Sequence, residues 1–155
     1  MQYDDNYRPV AVDYSIASDD HVVEAQLHRN DWHVRAARLV MHERAAAGQF
    51  SADGEERLRR MALQHPLPDR RLRAVWCLHA IGSLDAPLAV RLMADSSEYV
   101  RAWAVQLAVD SIPEARLGKA LERLSQEDPS LLVRRYLASA IARLSEPTGW
   151  SIATS

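Results

Sequence analysis

Histidine and acidic side chains near the start of this chain have the types and spacing that metal binding would require. His21, Glu24 and His28 are three and four residues apart, so a helix would place them on one face. His33 and His42 belong to the helix predicted next. The arrangement differs from H-E-x-x-H, in which two histidines one turn apart flank a catalytic carboxylate. We therefore expect solvated or helix-end histidines and no metal site.

The usual signatures of catalysis and cofactor binding are missing from the sequence. It contains no G-x-S-x-G elbow, no P-loop, no G-x-G-x-x-G fingerprint and no C-x-x-C-H haem attachment. The single cysteine, Cys77, lies in the apolar run AVWCLHA, which favours a buried structural thiol over a nucleophile. We expect no catalytic residue and no cofactor.

Composition narrows the class of protein further. The chain has 155 residues, 48% of them hydrophobic, with only 5 glycines, as is typical of one compact, helix-rich domain. Its 19 basic and 21 acidic residues nearly cancel, which disfavours nucleic acid as a partner. No apolar run is long enough to cross a membrane and no signal peptide is recognisable, so we expect no membrane insertion and leave the localisation unknown.

A five-residue pattern occurs four times, as DWHVR (31–35), DRRLR (69–73), SEYVR (97–101) and SLLVR (130–134). It predicts a helix N-cap at the first position and, one turn later, an arginine that reaches its own cap or the cap of the adjacent repeat. Such contacts would form a polar ladder that fixes the stacking of the repeats. The predicted ladder residues are Asp31, Arg35, Asp69, Arg73, Ser97, Arg101, Ser130 and Arg134. If Arg101 is buried and paired, its replacement by alanine should cost on the order of 1 to 3 kcal/mol.

Caps, prolines and glycines divide most of the chain into paired helices. Helices are predicted at about 18–28, 30–47, 55–64, 70–81, 86–94, 98–110, 113–125 and 131–144. The spacing of the repeated arginines is in the range of helical-hairpin solenoids, in which each unit buries its apolar face against the next. We therefore predict an all-α fold, a right-handed α-solenoid of about four hairpins over residues 18–145. An extended lead-in (1–17) precedes it and a C-terminal tail (146–155) follows.

Large aromatic residues recur in the second helix of each pair. Packing between layers is the first interpretation of these side chains, and stacking against a ligand is the alternative. Tyr99, two residues after its predicted cap, is the better candidate for an exposed contact. The candidate interaction face comprises Trp32, Tyr99, Trp103 and Tyr136.

The repeats resemble HEAT repeats, which carry an aspartate in the inter-helix turn and a Val-Arg shortly after it. The strings LHRNDWHVRAARLVMHERAAAG, RRLRAVWCLHAIGSLD, EYVRAWAVQLAVD and VRRYLASAIARL are also similar to the helical segment of exported planctomycete-type proteins, predicted membrane-bound dehydrogenases. In that family a β-propeller precedes the HEAT-like segment and a c-type cytochrome domain follows it. The likeness covers roughly residues 15–144. It implies a periplasmic or exported setting, and no catalytic residue carries over because this chain has neither propeller nor haem motif.

These observations favour a non-catalytic helical-repeat scaffold that contacts neighbouring domains or another protein. The resemblance implies the spacer segment of a larger dehydrogenase–cytochrome protein. The alternatives are a free-standing adaptor and a HEAT-like DNA-binding enzyme of the alkylpurine glycosylase type, with Trp32, Trp76, Trp103 and the arginines at 35, 73 and 101 on its concave face. Exposed apolar ends of such a stack would also permit self-association through the end repeats.

Overall fold

The computed structural model describes residues 12–154, and their regular structure is entirely helical. The predicted all-α fold is confirmed for this part of the chain. The helices are α1 (Asp19–Glu24), α2 (Asp31–Ala46), α3 (Ala52–Gln64), α4 (Pro68–Ala80), α5 (Ala86–Leu92), α6 (Glu98–Ser111), α7 (Gly118–Glu127), α8 (Leu131–Ala140) and α9 (Glu146–Ala153). Short 3-10 turns occupy Ala25–Leu27, Glu114–Arg116 and Ile141–Arg143.

Local chemistry explains where these helices begin and end. The Ser18 hydroxyl accepts the His21 N–H at 3.3 Å, and the Asp85 carboxylate accepts the Leu88 N–H at 2.9 Å. Such side chains satisfy amides that lack a partner in the first helical turn. Gly48 and Gly82, which follow the C-cap residues of α2 and α4, have φ of 67° and 75°, the left-handed conformation that ends a helix at low cost in glycine.

Helices that are not consecutive in sequence contact one another in two rows. In the second row, formed by the second helix of each pair, α2 packs against α4, α4 against α6, and α6 against α8. In the first row α1 packs against α3 and α3 against α5, while α7 packs against α9. The core lies between these rows, and its largest fully buried side chains include Met41, Leu58, Leu78, Leu92, Leu121 and Leu137.

Small residues bring the second-row helices close together. Ala37, Ala74, Ala104 and Ala108 are fully buried. A methyl side chain lets neighbouring helix backbones approach, and the aliphatic residues around it fill the remaining space. The buried alanines therefore allow close contact between neighbouring helices of this row.

The two ends of the chain differ from the expectation in part. Residues 1–11 of the predicted lead-in lie outside the described residues, but 12–17 form a turn in which Tyr14 is 7% exposed. Arg44 of α2 holds this turn by donating to the carbonyl oxygens of Tyr14, Ser15 and Ala17 at 3.3, 3.0 and 2.6 Å.

The segment expected to be a C-terminal tail contains the helix α9, with Ile152 buried against the rest of the protein. Pro147 lies in its first turn, where a missing amide hydrogen costs nothing. The Glu114 carboxylate accepts hydrogen bonds of 2.6 Å from both the amide and the hydroxyl of Ser145, the residue before the helix. These contacts order a segment that the sequence patterns left without structure.

Candidate interaction face

The same hydrogen bond between a loop side chain and a backbone amide occurs at the start of every second-row helix. The side chain two residues before the N-cap accepts the N–H of the N-cap residue, at 3.0, 3.2, 2.7 and 2.9 Å in chain order. The accepting residues are His28, His65, Asp95 and Asp128, and the N-caps are Asn30, Leu67, Ser97 and Ser130. This contact fixes the direction in which each second-row helix leaves its loop.

Arginine is the fourth residue of three of these helices. Arg71 and Arg101 each donate from Nη1 to the backbone carbonyl six residues earlier, at 2.8 and 2.9 Å. Arg134 donates from Nε to the corresponding carbonyl, that of Asp128, at 3.3 Å. The arginines thereby tie each helix to its own preceding loop.

Two of these arginines also reach forward to the next loop. Arg71 Nη2 lies 2.8 Å from an Asp95 oxygen. Arg101 binds Asp128 through Nε at 2.6 Å and Nη2 at 3.0 Å, a two-point contact. Because Asp95 and Asp128 belong to the next helix pair, each ion pair links two successive pairs. We call these contacts the aspartate–arginine bridges.

The structure changes the identity of the predicted polar ladder. Ser130 caps its helix by accepting the Val133 N–H at 3.3 Å, as expected. Asp31 and Asp69 lie inside their helices rather than at the N-cap, and the Ser97 side chain makes no cap hydrogen bond. The N-cap prediction was wrong for Asp31 and Asp69 because α2 and α4 begin one and two residues earlier than the pattern assumed. Ser97 is the N-cap of α6 as predicted, although its side chain does not accept an amide of the first turn.

The four predicted arginines therefore have different roles. Arg101 and Arg134 occupy the bridge position. Arg73 lies two residues beyond it and reaches back to the first pair, with Nη2 2.7 Å from Asp31 and Nη1 within 3.0 Å of the carbonyls of Gln26 and His28. Arg35 is exposed and makes no hydrogen bond or ion pair to another residue between 12 and 154.

Arg71 is the bridge residue that sequence reasoning missed. The signal was present as a seven-residue spacing: DSSEYVR (95–101) and DPSLLVR (128–134) share an aspartate, a serine two residues later and a Val-Arg at the end. HPLPDRR (65–71) keeps the final arginine at the same spacing but has histidine, leucine and arginine in place of the aspartate, serine and valine. A search for an arginine six residues after the loop side chain, rather than four residues after the predicted cap, would have identified Arg71.

Burial and hydrogen bonding act in opposite directions on the bridge at Asp128. Burial raises the pKa of the Asp128 carboxyl, but the hydrogen bonds from Arg101 and the Ser130 amide outweigh it and leave the pKa below its ordinary value. The same contact raises the pKa of Arg101, although burial opposes it. Both groups are therefore charged at neutral pH, and the bridge is ionic.

A continuous row of rings and one guanidinium crosses the second-row helices on their partly exposed side. The Arg38 guanidinium lies 5.4 Å from the centre of the Trp76 ring, within the range of a cation–π contact. Trp76 and Trp103 meet edge to face with centroids 5.2 Å apart, and Trp103 and Tyr136 are 6.1 Å apart. We call these four side chains the aromatic row. All four are half-buried, so the row both packs the helices together and presents a surface.

A shallow groove opens at the Tyr136 end of the row. It has a volume of about 260 Å³ and is lined by Trp103, Gln106, Arg135, Tyr136 and Ser139. Its wall combines two aromatic rings with a free guanidinium, an amide and a hydroxyl. These groups can pack an apolar side chain and hydrogen-bond to a carbonyl or carboxylate of a partner.

Three polar atoms in or beside the row lack a partner. Arg38 Nε, Trp76 Nε1 and His79 Nδ1 are shielded from solvent and make no hydrogen bond within the described part of the chain. Trp76 and His79 lie one turn apart on α4. Buried polar atoms of folded proteins nearly always have a partner, but Gln26 Oε1 and Arg71 Nε are also unpaired among the described residues, so this feature is not confined to the row.

The other two predicted face residues lie elsewhere. Trp32 is 55% exposed and packs near Tyr14 and His33, with ring centroids 6.5 and 5.0 Å away. Tyr99 is 57% exposed, as expected, but makes no ring contact with another residue in 12–154. The structure therefore brings together only Trp103 and Tyr136 of the predicted set, and it adds Trp76 and Arg38.

Residues that could do chemistry are placed as follows. Within residues 12–154 no three His, Cys, Asp or Glu side chains form a group suited to a metal ion. Burial raises the pKa of the Cys77 thiol to about 11, and the nearby Arg38 offsets only part of that effect. The buried thiol expected from the sequence is confirmed.

Arg73 and Arg101, two of the three arginines that the glycosylase alternative requires, are engaged in ion pairs within the protein. No helix of the described part has the length and apolar character needed to cross a membrane. Comparison of the chain with protein-family models, with curated proteins and with solved structures finds no match.

Proposed function

We propose that this chain is a non-catalytic interaction scaffold whose aromatic row binds another protein or a neighbouring domain. The proposal includes the architecture expected from sequence, a right-handed solenoid of about four HEAT-like pairs. The ordered contacts from α2 to α8 and the recurring loop contact at the start of each of these helices support that architecture. A crystal structure that arranges the helices otherwise would refute it.

The aromatic row is the single observation that carries the functional proposal. Tryptophan, tyrosine and arginine are the side chains that most often dominate binding energy at protein interfaces. Here they form one strip over four helices, with Arg38 at one end and the groove beside Tyr136 at the other. The near-zero net charge also suits a protein partner better than a nucleic acid.

The resemblance to exported dehydrogenases suggests who the partner is. On that basis the chain is the spacer between a β-propeller and a c-type cytochrome domain, and the row contacts one of these two domains. A free-standing adaptor is the other form of the same proposal. The gene sequence on both sides of this segment should be searched for a propeller and a C-x-x-C-H motif. The result decides between the spacer and the free-standing adaptor, and it determines which domain is used as the binding partner in the test.

The test is a calorimetric titration of the chain with a purified propeller domain and a purified cytochrome domain from a dehydrogenase of the resembling type. Saturable binding to one of them should weaken at least about tenfold in Tyr136→Ala, because truncating an anchoring aromatic removes a large share of interface energy. Trp150→Ala is the matched control, since Trp150 is 64% exposed and lies on α9, away from the row.

Circular dichroism of each variant confirms that the helices are retained. Equal affinity of Tyr136→Ala and the unmodified chain would contradict the assignment of the row. Duplex DNA serves as the third probe in the same titration. Tight, salt-dependent DNA binding would favour the glycosylase-type alternative and overturn the scaffold.

A further inference from the structure

The outer side of α8, facing away from α6, is only partly covered. Next to it lies an open groove of about 360 Å³ between the end of α8 and α9, lined by Arg134, Leu137, Ala138, Ile141 and Ala153 among others. Arg134 and Ala138 are exposed there, and Ile141 is half-buried. The surface is thus an apolar strip with one arginine at its edge.

The same strip exists one step earlier in the chain, and there it is covered. Moving back 33 residues, Arg134, Ala138 and Ile141 correspond to Arg101, Val105 and Ala108 on α6. Val105 and Ala108 are fully buried on α6, which packs against α8, and Arg101 is paired with Asp128 from the loop before α8. The packing of α8 on α6 is therefore an example, within this protein, of a helix that packs beside such a strip.

Arg134 occupies the bridge position of α8 but forms no aspartate–arginine bridge among residues 12–154. Its Nε donates to the Asp128 carbonyl, as the equivalent arginines do to their own loops, but Nη1 and Nη2 have no hydrogen-bond partner among residues 12–154. In Arg71 and Arg101 these outer nitrogens bind the aspartate of the following loop. A carboxylate placed in the same way would complete the series at Arg134.

Within residues 12–154 the two rows of helices do not extend equally far. Helix α9 packs against α7, as α3 packs against α1 and α5 against α3, so the first row already continues past α8. The second row stops at α8 in the described structure. The groove beside α8 therefore lies where the next helix of the second row would pack.

We propose that the outer side of α8 is a docking site for an amphipathic helix of a partner protein, with an aspartate two residues before its N-cap that binds Arg134. The argument rests on charge complementarity and on the geometry that Arg101, Asp128 and α8 already show inside the chain. It is independent of the aromatic row and goes beyond the proposed function. The two surfaces are probed by different variants, so one can fail without the other.

The probe is a fluorescent peptide with the sequence of residues 126–141, QEDPSLLVRRYLASAI, because this segment covers the equivalent strip on α6. Fluorescence anisotropy should show saturable binding to the intact protein. A peptide with asparagine in place of its aspartate should bind about tenfold more weakly, and so should the unmodified peptide on the Arg134→Gln protein. Combining the two changes should cost little more than either alone, because both remove the same ion pair. Arg116→Gln, at an exposed arginine that lines neither groove, is the matched control and should leave binding unchanged.

An isolated peptide of this length pays the full cost of forming a helix, so a second measurement keeps the proposal refutable. Residues 126–141 are appended to the C-terminus through a short flexible linker, which raises their effective concentration. The melting temperature should rise for the aspartate version and less for the asparagine version. Equal melting temperatures for both versions, or peptide binding that ignores Arg134, would overturn the proposal. A dimer seen by sedimentation that dissociates in Arg134→Gln would assign the strip to a second copy of the chain and would likewise overturn it.

Discussion

Replacing Arg101 by alanine removes four hydrogen bonds, two of them to one buried carboxylate. Arg101 donates to both oxygens of Asp128 and to the carbonyls of Asp95 and Ser96, the last two at 2.9 and 3.2 Å. After truncation the Asp128 carboxylate keeps one hydrogen bond, from the Ser130 amide, and the Coulombic attraction of Arg134. The carboxylate stays charged and buried, because its side chain is 3% exposed.

The expected cost follows from that environment. Removing one partner of a fully buried ion pair costs about 3 to 5 kcal/mol, mainly because the remaining charge has lost its compensation. The Arg101 side chain is 15% exposed, so water can enter the space that it leaves and reduce the penalty. We therefore expect a loss of about 3 kcal/mol in the free energy of unfolding for Arg101→Ala, a large share of the 5 to 15 kcal/mol that is typical of a domain.

Urea denaturation followed by far-UV circular dichroism measures this loss. Arg123→Ala is the matched control: it also breaks an arginine–carboxylate pair, but Arg123 is 72% exposed and its partner Glu127 66%, so the loss should be about 0.5 kcal/mol or less. The slope of the free energy against urea should be the same in all three proteins. A loss for Arg101→Ala as small as the control's would show that the bridge does not hold the helix pairs together.

Three further outcomes test other parts of the structure. Because the folded-state pKa of Asp128 lies below its ordinary value, its contribution is complete above that value and disappears as the pH falls through the folded-state pKa; stability measured from pH 6 to pH 2 should therefore fall less in Asp128→Asn, and parallel curves would contradict this. Gly82→Ala should cost about 1 kcal/mol because φ is 75°, whereas Gly118→Ala, at a helix start with open space around its Cα, should be neutral or stabilising in the same denaturation assay. Cys77 should react with a thiol reagent only at the rate of unfolding, since it is buried and its pKa is raised to about 11; fast native-state labelling would refute that burial.

The helices could be predicted because their signals are local. Ser18 caps α1 and glycines at 48 and 82 end α2 and α4, as the sequence patterns indicated. These features depend on a few neighbouring residues and on backbone conformation, which are legible without tertiary structure.

The cross-links between helix pairs were harder to predict because their partners are distant in sequence. Arg71 and Asp95 are 24 residues apart, and no local preference pairs them. The start of α4 also misled the pattern: Pro68 opens that helix, which moves the bridge position from Arg73 to Arg71. The aromatic row was only partly found for the same reason, since Arg38 joins it across two helices.

The bridges also bear on how the molecule would respond to a pulling force along the stack. Each bridge joins the loop of one pair to the helix of the pair before it, so a load applied at the two ends passes through the links at Asp95 and Asp128 in series. At the first boundary the corresponding loop residue is His65 and the fourth residue of α2 is Val34, so no such ion pair can form there. Arg73 instead donates to the carbonyls of Gln26 and His28 and forms an ion pair with Asp31, whose side chain is 61% exposed. Under tension the links are therefore uneven: the well-buried ion pairs at Asp95 and Asp128 join the last three pairs, whereas the first two pairs are joined by the more exposed ion pairs Arg73–Asp31 and Arg57–Asp20.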